Sequence, residues 1–223
     1  MNLDYYHWGP FFRNERGEWT YGHLTGSGLP MKFVDEQGRL LNIYQQLTHI
    51  ADDHLLAGDW GGHVLLDGAS ATRVSEYYLS GSLQGGYAAI TGNFHVDPLD
   101  AGGEWADNLR TWLEGTLDYA ADHNIPIWSA EEWLDFTRGR HDALFEHVAW
   151  DAQSHTLQFD LSIPDKPVGG LSLLVPLIHA GSDLAAVEVD GRPAQYGQQT
   201  VGAIRYAVIP VAGGSVSVSA IYA

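Results

Sequence analysis

The chain has 223 residues, no cysteine and a formal charge of −17. That length holds one large domain or two modest ones, and the missing cysteines remove disulfides and thiolate metal sites. The charge opposes nucleic acid and anionic membrane surfaces as partners, and no window is apolar for long enough to cross a bilayer.

The first residues, Met1 to Tyr6, have neither the basic start nor the apolar core of a signal peptide. They run directly into Tyr5, Tyr6, His7, Trp8, Phe11 and Phe12. Aromatics this dense belong inside a fold or line a site. The chain is therefore expected to be the later part of a longer fold. A second copy of itself or an N-terminal partner is expected to cover Tyr5 to Phe12.

Met31-Lys32-Phe33-Val34 and Leu40-Leu41-Asn42-Ile43-Tyr44 flank Asp35 to Arg39, the pattern of a hairpin. Tyr87-Ala88-Ala89-Ile90 reads as a strand leading to a polar tip, Thr91 to Pro98. From Glu104 to Asp122, Trp105, Leu109, Trp112, Leu113, Leu117 and Ala120 recur at helical spacing, so one face is core. Gly115 weakens that helix without breaking it. A second short apolar strand, Ile125 to Trp128, precedes a capping box made by Ser129 and Glu132.

After residue 141 the composition changes. Seven of the eight tryptophans precede that point, and short segments of period two follow it. They are Thr156–Ile163, Gly170–Pro176, Ala186–Gly191, Ala203–Pro210 and Ser215–Tyr222, with Asp190-Gly191 as a tight-turn signal. The expected architecture is an α/β unit over residues 1–140, partly or irregularly β/α-barrel-like. An antiparallel β-sandwich is expected over 141–223.

Reactive groups in such α/β folds gather where strands end. His95 and Asp97 lie at such an end, and extended alternation would turn both the same way. They are the candidate catalytic pair, a general acid or base with an orienting carboxylate; two hydrogen-bonded loop residues are the plainer reading. The run Thr48-His49-Ile50-Ala51-Asp52-Asp53-His54 carries metal-ligand residue types. His49, Asp53 and the loop residue His63 are the candidate ligands, against a solvated cap or a surface turn. Trp8, Trp19, Tyr44 and Trp60 are candidates to stack on sugar rings, with core packing as the commoner fate. Gly26-Ser27-Gly28 is neither a nucleophile elbow nor a phosphate loop, because its flanking spacings are wrong.

Three stretches carry a resemblance. Thr25 to Asp35 with Leu41 to Gln45, Thr91 to Asp97, and Ile125 to Trp133 resemble the later barrel region of polysaccharide deacetylase-like proteins. The β-rich tail from about Phe145 is similar to the sandwich that follows the barrel in some bacterial members. The resemblance implies an irregular (β/α) barrel, metal-assisted removal of acetyl groups from aminosugar polymers, and an extracellular or envelope setting. It implies a divalent metal ion as cofactor and a carbohydrate as ligand. His95 matches a late-strand histidine of that family. The family's early Asp-Asp strand motif is missing, since Asp52-Asp53 comes too late, and no His-x-x-x-His spacing occurs.

The expected function is therefore a glycan-active hydrolase of deacetylase type, with His95 as acid or base. The alternatives are a carbohydrate-binding module without catalysis and a glycosidase using paired carboxylates.

Overall fold

The computed structural model describes residues 2–5, 11–13, 16, 19–21, 28–52, 55–56, 66–86, 88–163, 167 and 169–223. These residues mix helix and strand and divide into two units, Met1–Trp128 and Ser129–Ala223. The division falls one helix earlier than the boundary expected at 140, because the helix opened by Ser129 groups with the strands that follow it.

In the first unit, β1 (Asn2–Tyr5), β2 (Phe11–Arg13) and β3 (Trp19–Tyr21) precede the expected hairpin of β4 (Met31–Val34) and β5 (Leu40–Thr48). β1 lies parallel to β5 in a three-stranded sheet, and β2 pairs with β3. The hairpin closes on Asp35, whose Oδ1 accepts the N–H groups of Gln37 and Arg39 at 3.0 and 2.8 Å.

β6 (Ile50–Ala51) runs into α1 (Gly68–Gly81) through residues largely outside the described set, and β7 (Gly92–Asn93) returns to lie parallel to β6. Then come α2 (Asp97–Ala101) and α3 (Glu104–Asp122). The strands of this unit form three small sheets, and no closed barrel is seen among the described residues.

α1 begins at Asp67, which accepts the Ser70 N–H at 2.7 Å. Its Ala71, Val74 and Tyr78 share a buried cluster with Leu109 and Trp112 of α3 and with Ile50 of β6. Trp112 is wholly buried and donates its indole N–H to Ser75 Oγ at 2.8 Å. Gly115 has a packing reason: a Cβ there would stand 2.7 Å from Thr72 Cγ2. The buried face of α3 is narrower than its sequence suggests, since Trp105 and Leu117 are 42% and 41% exposed. Leu117 stands five residues beyond Trp112, about 140° around the helix, so it leaves the core stripe.

Two expected strands are absent. Ile125 N–H closes α3 by bonding Ala120 C=O at 2.8 Å, with Asn124 in the left-handed region at φ 54°. Pro126 has no N–H to offer, and no ladder forms through Trp128. At the other site, Ala88 exchanges both backbone groups with Ser82 Oγ, at 2.9 and 2.7 Å. Strand pairing there begins only at Gly92.

The second unit opens with α4 (Ala130–Asp142), where the Ser129–Glu132 capping box forms as expected. Nine strands follow: β8 (Leu144–Asp151), β9 (Thr156–Ile163), β10 (Leu171–Pro176), β11 (Ile178–His179), β12 (Ser182–Val189), β13 (Arg192–Pro193), β14 (Gly197–Val201), β15 (Ile204–Val211) and β16 (Gly214–Tyr222). A six-stranded sheet runs β11-β12-β16-β9-β8 with β13 on β12, and a three-stranded sheet runs β10-β15-β14. Every pairing in both sheets is antiparallel. Their alternate residues meet in one buried cluster, including Leu161, Ile163, Val175, Ile209 and Val218. Asp190 and Gly191 take φ of 50° and 70° between Val189 and Arg192, the two-residue hairpin turn read from sequence.

Candidate functional site

The site grows from the parallel pair β6 and β7. Ile50 stands opposite Gly92 and Ala51 opposite Asn93, so the chain leaves both strands at the same end. Asp52 follows β6 at once, and Phe94 and His95 follow β7. Strand ends of this kind free side chains from the ladder while the backbone beneath stays fixed.

His95 Nδ1 lies 2.8 Å from Asp52 Oδ1. The Asp52 side chain is fully buried, whereas the His95 side chain is 45% exposed. A carboxylate only accepts hydrogen bonds, so with Asp52 as carboxylate Nδ1 carries the proton in this pair. That sets the tautomer and leaves the far ring nitrogen as the basic one. Phe94 anchors the segment, its ring centroid 4.4 Å from that of Trp112 in the core. Asp52 Oδ2 is buried and has no hydrogen-bond partner among the described residues. A buried carboxylate with an open acceptor is costly unless a donor or a proton meets it.

Asp97 does not play the orienting role expected of it. The chain bends at Val96, which is helical at φ −91° and ψ −24°, and Asp97 becomes the first residue of α2. Alternation therefore ends before Asp97, which is exposed and placed where a carboxylate favours the helix N-terminus. Asp52 takes its place. It precedes His95 by 43 residues and reaches it only through strand pairing.

The hydrogen bond of His49 gives it a structural partner. Its Nδ1 accepts the Thr91 backbone N–H at 3.0 Å, so in the neutral ring the proton sits on Nε2. A metal on Nε2 needs that nitrogen's lone pair, which this tautomer does not offer. Burial also pushes the His49 pKa down, away from the charged form. Asp53 and His63 lie outside the described residues. Among the described residues, no three His, Asp or Glu side chains gather to hold a metal.

Of the aromatic candidates, Tyr44 is 5% exposed and packs in the interior, with Lys32 Nζ 4.9 Å from its ring centroid. It has no face to give a sugar. Trp19 lies in β3, whose side chains are outside the described set, as are Trp8 and Trp60.

No family model matches the chain, and no curated protein matches it. The site therefore rests on its own geometry. Among the described residues no helix is long and apolar enough to cross a membrane.

Proposed function

We propose that the protein is a hydrolase acting on an acylated carbohydrate, with His95 moving the proton and Asp52 orienting its imidazole. The observation that carries this reading is the 2.8 Å contact between a half-exposed imidazole and a fully buried carboxylate at the ends of adjacent parallel strands. The far ring nitrogen takes a proton from water as its oxygen bonds to the acyl carbon. Asp52 stabilises the imidazolium formed. The proton then passes to the leaving oxygen or nitrogen as its bond to the acyl carbon breaks. The glycan as substrate comes from the polysaccharide deacetylase resemblance. With it come a barrel-like first unit, a second unit that is a β-sandwich, and an extracellular or envelope setting. Self-association through the aromatic start belongs to the same reading and rests on the sequence alone.

One observation favours the alternative of a carbohydrate-binding module. An open concavity of about 520 Å³ in the second unit is lined by Gln195, Tyr196, Gln198, Gln199, Val208 and Pro210. Amides beside ring and aliphatic surface, with no charge among them, suit a neutral sugar.

Turnover of an acetylated glycan or a model acetate ester separates the two. His95→Ala is expected to lower the rate by roughly a hundred- to ten-thousand-fold while the fold survives. A His95→Ala protein that melts early but hydrolyses normally per folded molecule removes the catalytic proposal. Binding of the glycan without any turnover supports the module.

A further inference from the structure

β6 and β7 share only two paired residues. So short a ladder is a weak constraint, yet a slip of one residue would turn His95 to the opposite face. Something else must hold the register.

Thr91, the residue before β7, is gripped at every polar group it has. Its N–H is taken by His49 Nδ1 at 3.0 Å. Its C=O accepts the N–H groups of His49 and Ile50 at 2.9 and 3.3 Å. Its Oγ1 accepts from Gln46 Nε2 at 3.0 Å, and the same amide nitrogen also donates to Gly28 C=O at 3.0 Å. Gln46 is 1% exposed, so these bonds form away from water. Gly28 itself sits against the Ala89 backbone at φ 72°, where any Cβ would collide with Ala89. One buried amide thus joins the segment before β4, strand β5 and the entry to β7.

We propose that His49 and Gln46 are positioning residues, which lock the register of β7 through Thr91 and so hold His95 on Asp52. The proposal rests on His95 as the proton-transferring group only for its catalytic consequence; the positioning itself is readable without substrate. A merely structural role would make the three residues ordinary contributors to stability, with no particular hold on His95.

The test follows the imidazole nitrogens of His95 by two-bond ¹⁵N–¹H correlation in the full chain, which separates the Nδ1–H and Nε2–H tautomers. His49→Phe keeps a ring and removes the acceptor; His49→Asn keeps an acceptor near the position of Nδ1. Thr91→Val keeps the shape and removes Oγ1, and it decides the matter if His49→Phe does not fold. Gly115→Ala is the control, because its added methyl crowds Thr72 between α1 and α3 and not Thr91 or Phe94. The expected result is a wild-type and His49→Asn protein in the Nδ1–H form. His49→Phe and Thr91→Val lose it, and Gly115→Ala keeps it. Turnover on a model acetate ester should fall with the signature by about a hundredfold, the cost of displacing a catalytic group by about 1 Å. An unchanged His95 signature in a folded His49→Phe or Thr91→Val protein overturns the proposal, as does an equal change in Gly115→Ala. A signature that responds in a protein with no hydrolysis leaves the positioning intact and removes the hydrolase reading instead.

Discussion

The two units hold their strands in different ways. In the second, β9 and β16 run side by side through eight paired residues, from Gly214 opposite Ile163 to Ile221 opposite Thr156. In the first, the strands that carry His95 and Asp52 share two pairs, and buried side chains around Thr91 complete the hold. A long ladder makes register a property of the backbone, tolerant of most side-chain changes. A short ladder makes it a property of a few side chains. That arrangement leaves strand ends open for chemistry, with Asp52 Oδ2 buried and without a hydrogen-bond partner among the described residues. The first unit is therefore expected to lose function before it loses its fold, and the second the reverse.

The largest effect should come from Asp52→Asn. We expect turnover to fall by about a hundredfold, within the range for general acid–base groups, because an amide no longer dictates the His95 tautomer. Melting temperature should change little, since the shape is kept and the altered Oδ2 position has no hydrogen-bond partner among the described residues. A substantial drop in melting temperature with normal turnover would reverse the comparison. Leu161→Ala should do the opposite. Leu161 is 4% exposed in the second unit's core, and truncating a buried leucine costs about 2–5 kcal/mol. Urea unfolding checks it, and turnover per folded molecule should stay at the wild-type value.

Gly191→Ala probes the second unit at a turn rather than in its core. Gly191 has φ 70° with open space around its Cα, so backbone conformation alone sets the cost. An L side chain in that region costs roughly 1–2 kcal/mol. A variant as stable as wild type would mean that the turn shifts without strain.

The same difference decides what was legible in the sequence. Thr156 to Ile163 and Ser215 to Tyr222 alternate with period two, and Asp190-Gly191 marks a turn between strands that are neighbours in the chain. Alternation and turn chemistry are local patterns, so each strand is legible by itself even though β9 pairs with the distant β16. The α1 helix carries a local signal too, Asp67 as cap with Ala71, Val74 and Tyr78 at helical spacing. At the site, His95 was legible as a strand-end residue. Its partner was not, because Asp52 meets it through a parallel pair that spans α1, and no local spacing encodes that contact. Asp97 was favoured by an alternation that the helical turn at Val96 ends. Ser82 shows the same limit from the other side: its hydroxyl takes both backbone groups of Ala88, and the apolar run Tyr87 to Ile90 does not reveal this.

The smallest effect is the pH dependence of the first unit. Burial pushes the pKa of His49 below the ordinary value of 6.5. The unfolded chain therefore binds this proton more readily than the folded one. Stability rises with pH wherever the unfolded state holds more protons, so the His49 contribution is complete above about pH 6.5 and is lost as pH falls toward the lower folded value. The physical event is protonation of Nδ1, which cancels its bond from the Thr91 N–H. One such bond contributes about 1 kcal/mol net. Carboxylates whose pKa values are lowered, Asp35, Asp67, Asp151, Asp160 and Glu132, act below their ordinary values of 3.8 and 4.5 and stay out of this window. Melting temperature of wild type minus that of His49→Asn, measured from pH 8 to pH 5, isolates the group, because every other histidine cancels. The difference should be flat at the alkaline end and decline in favour of the variant on the acid side. A difference that stays level throughout would mean that His49 titrates alike in both states, and Thr91 would then owe its place to Gln46 alone.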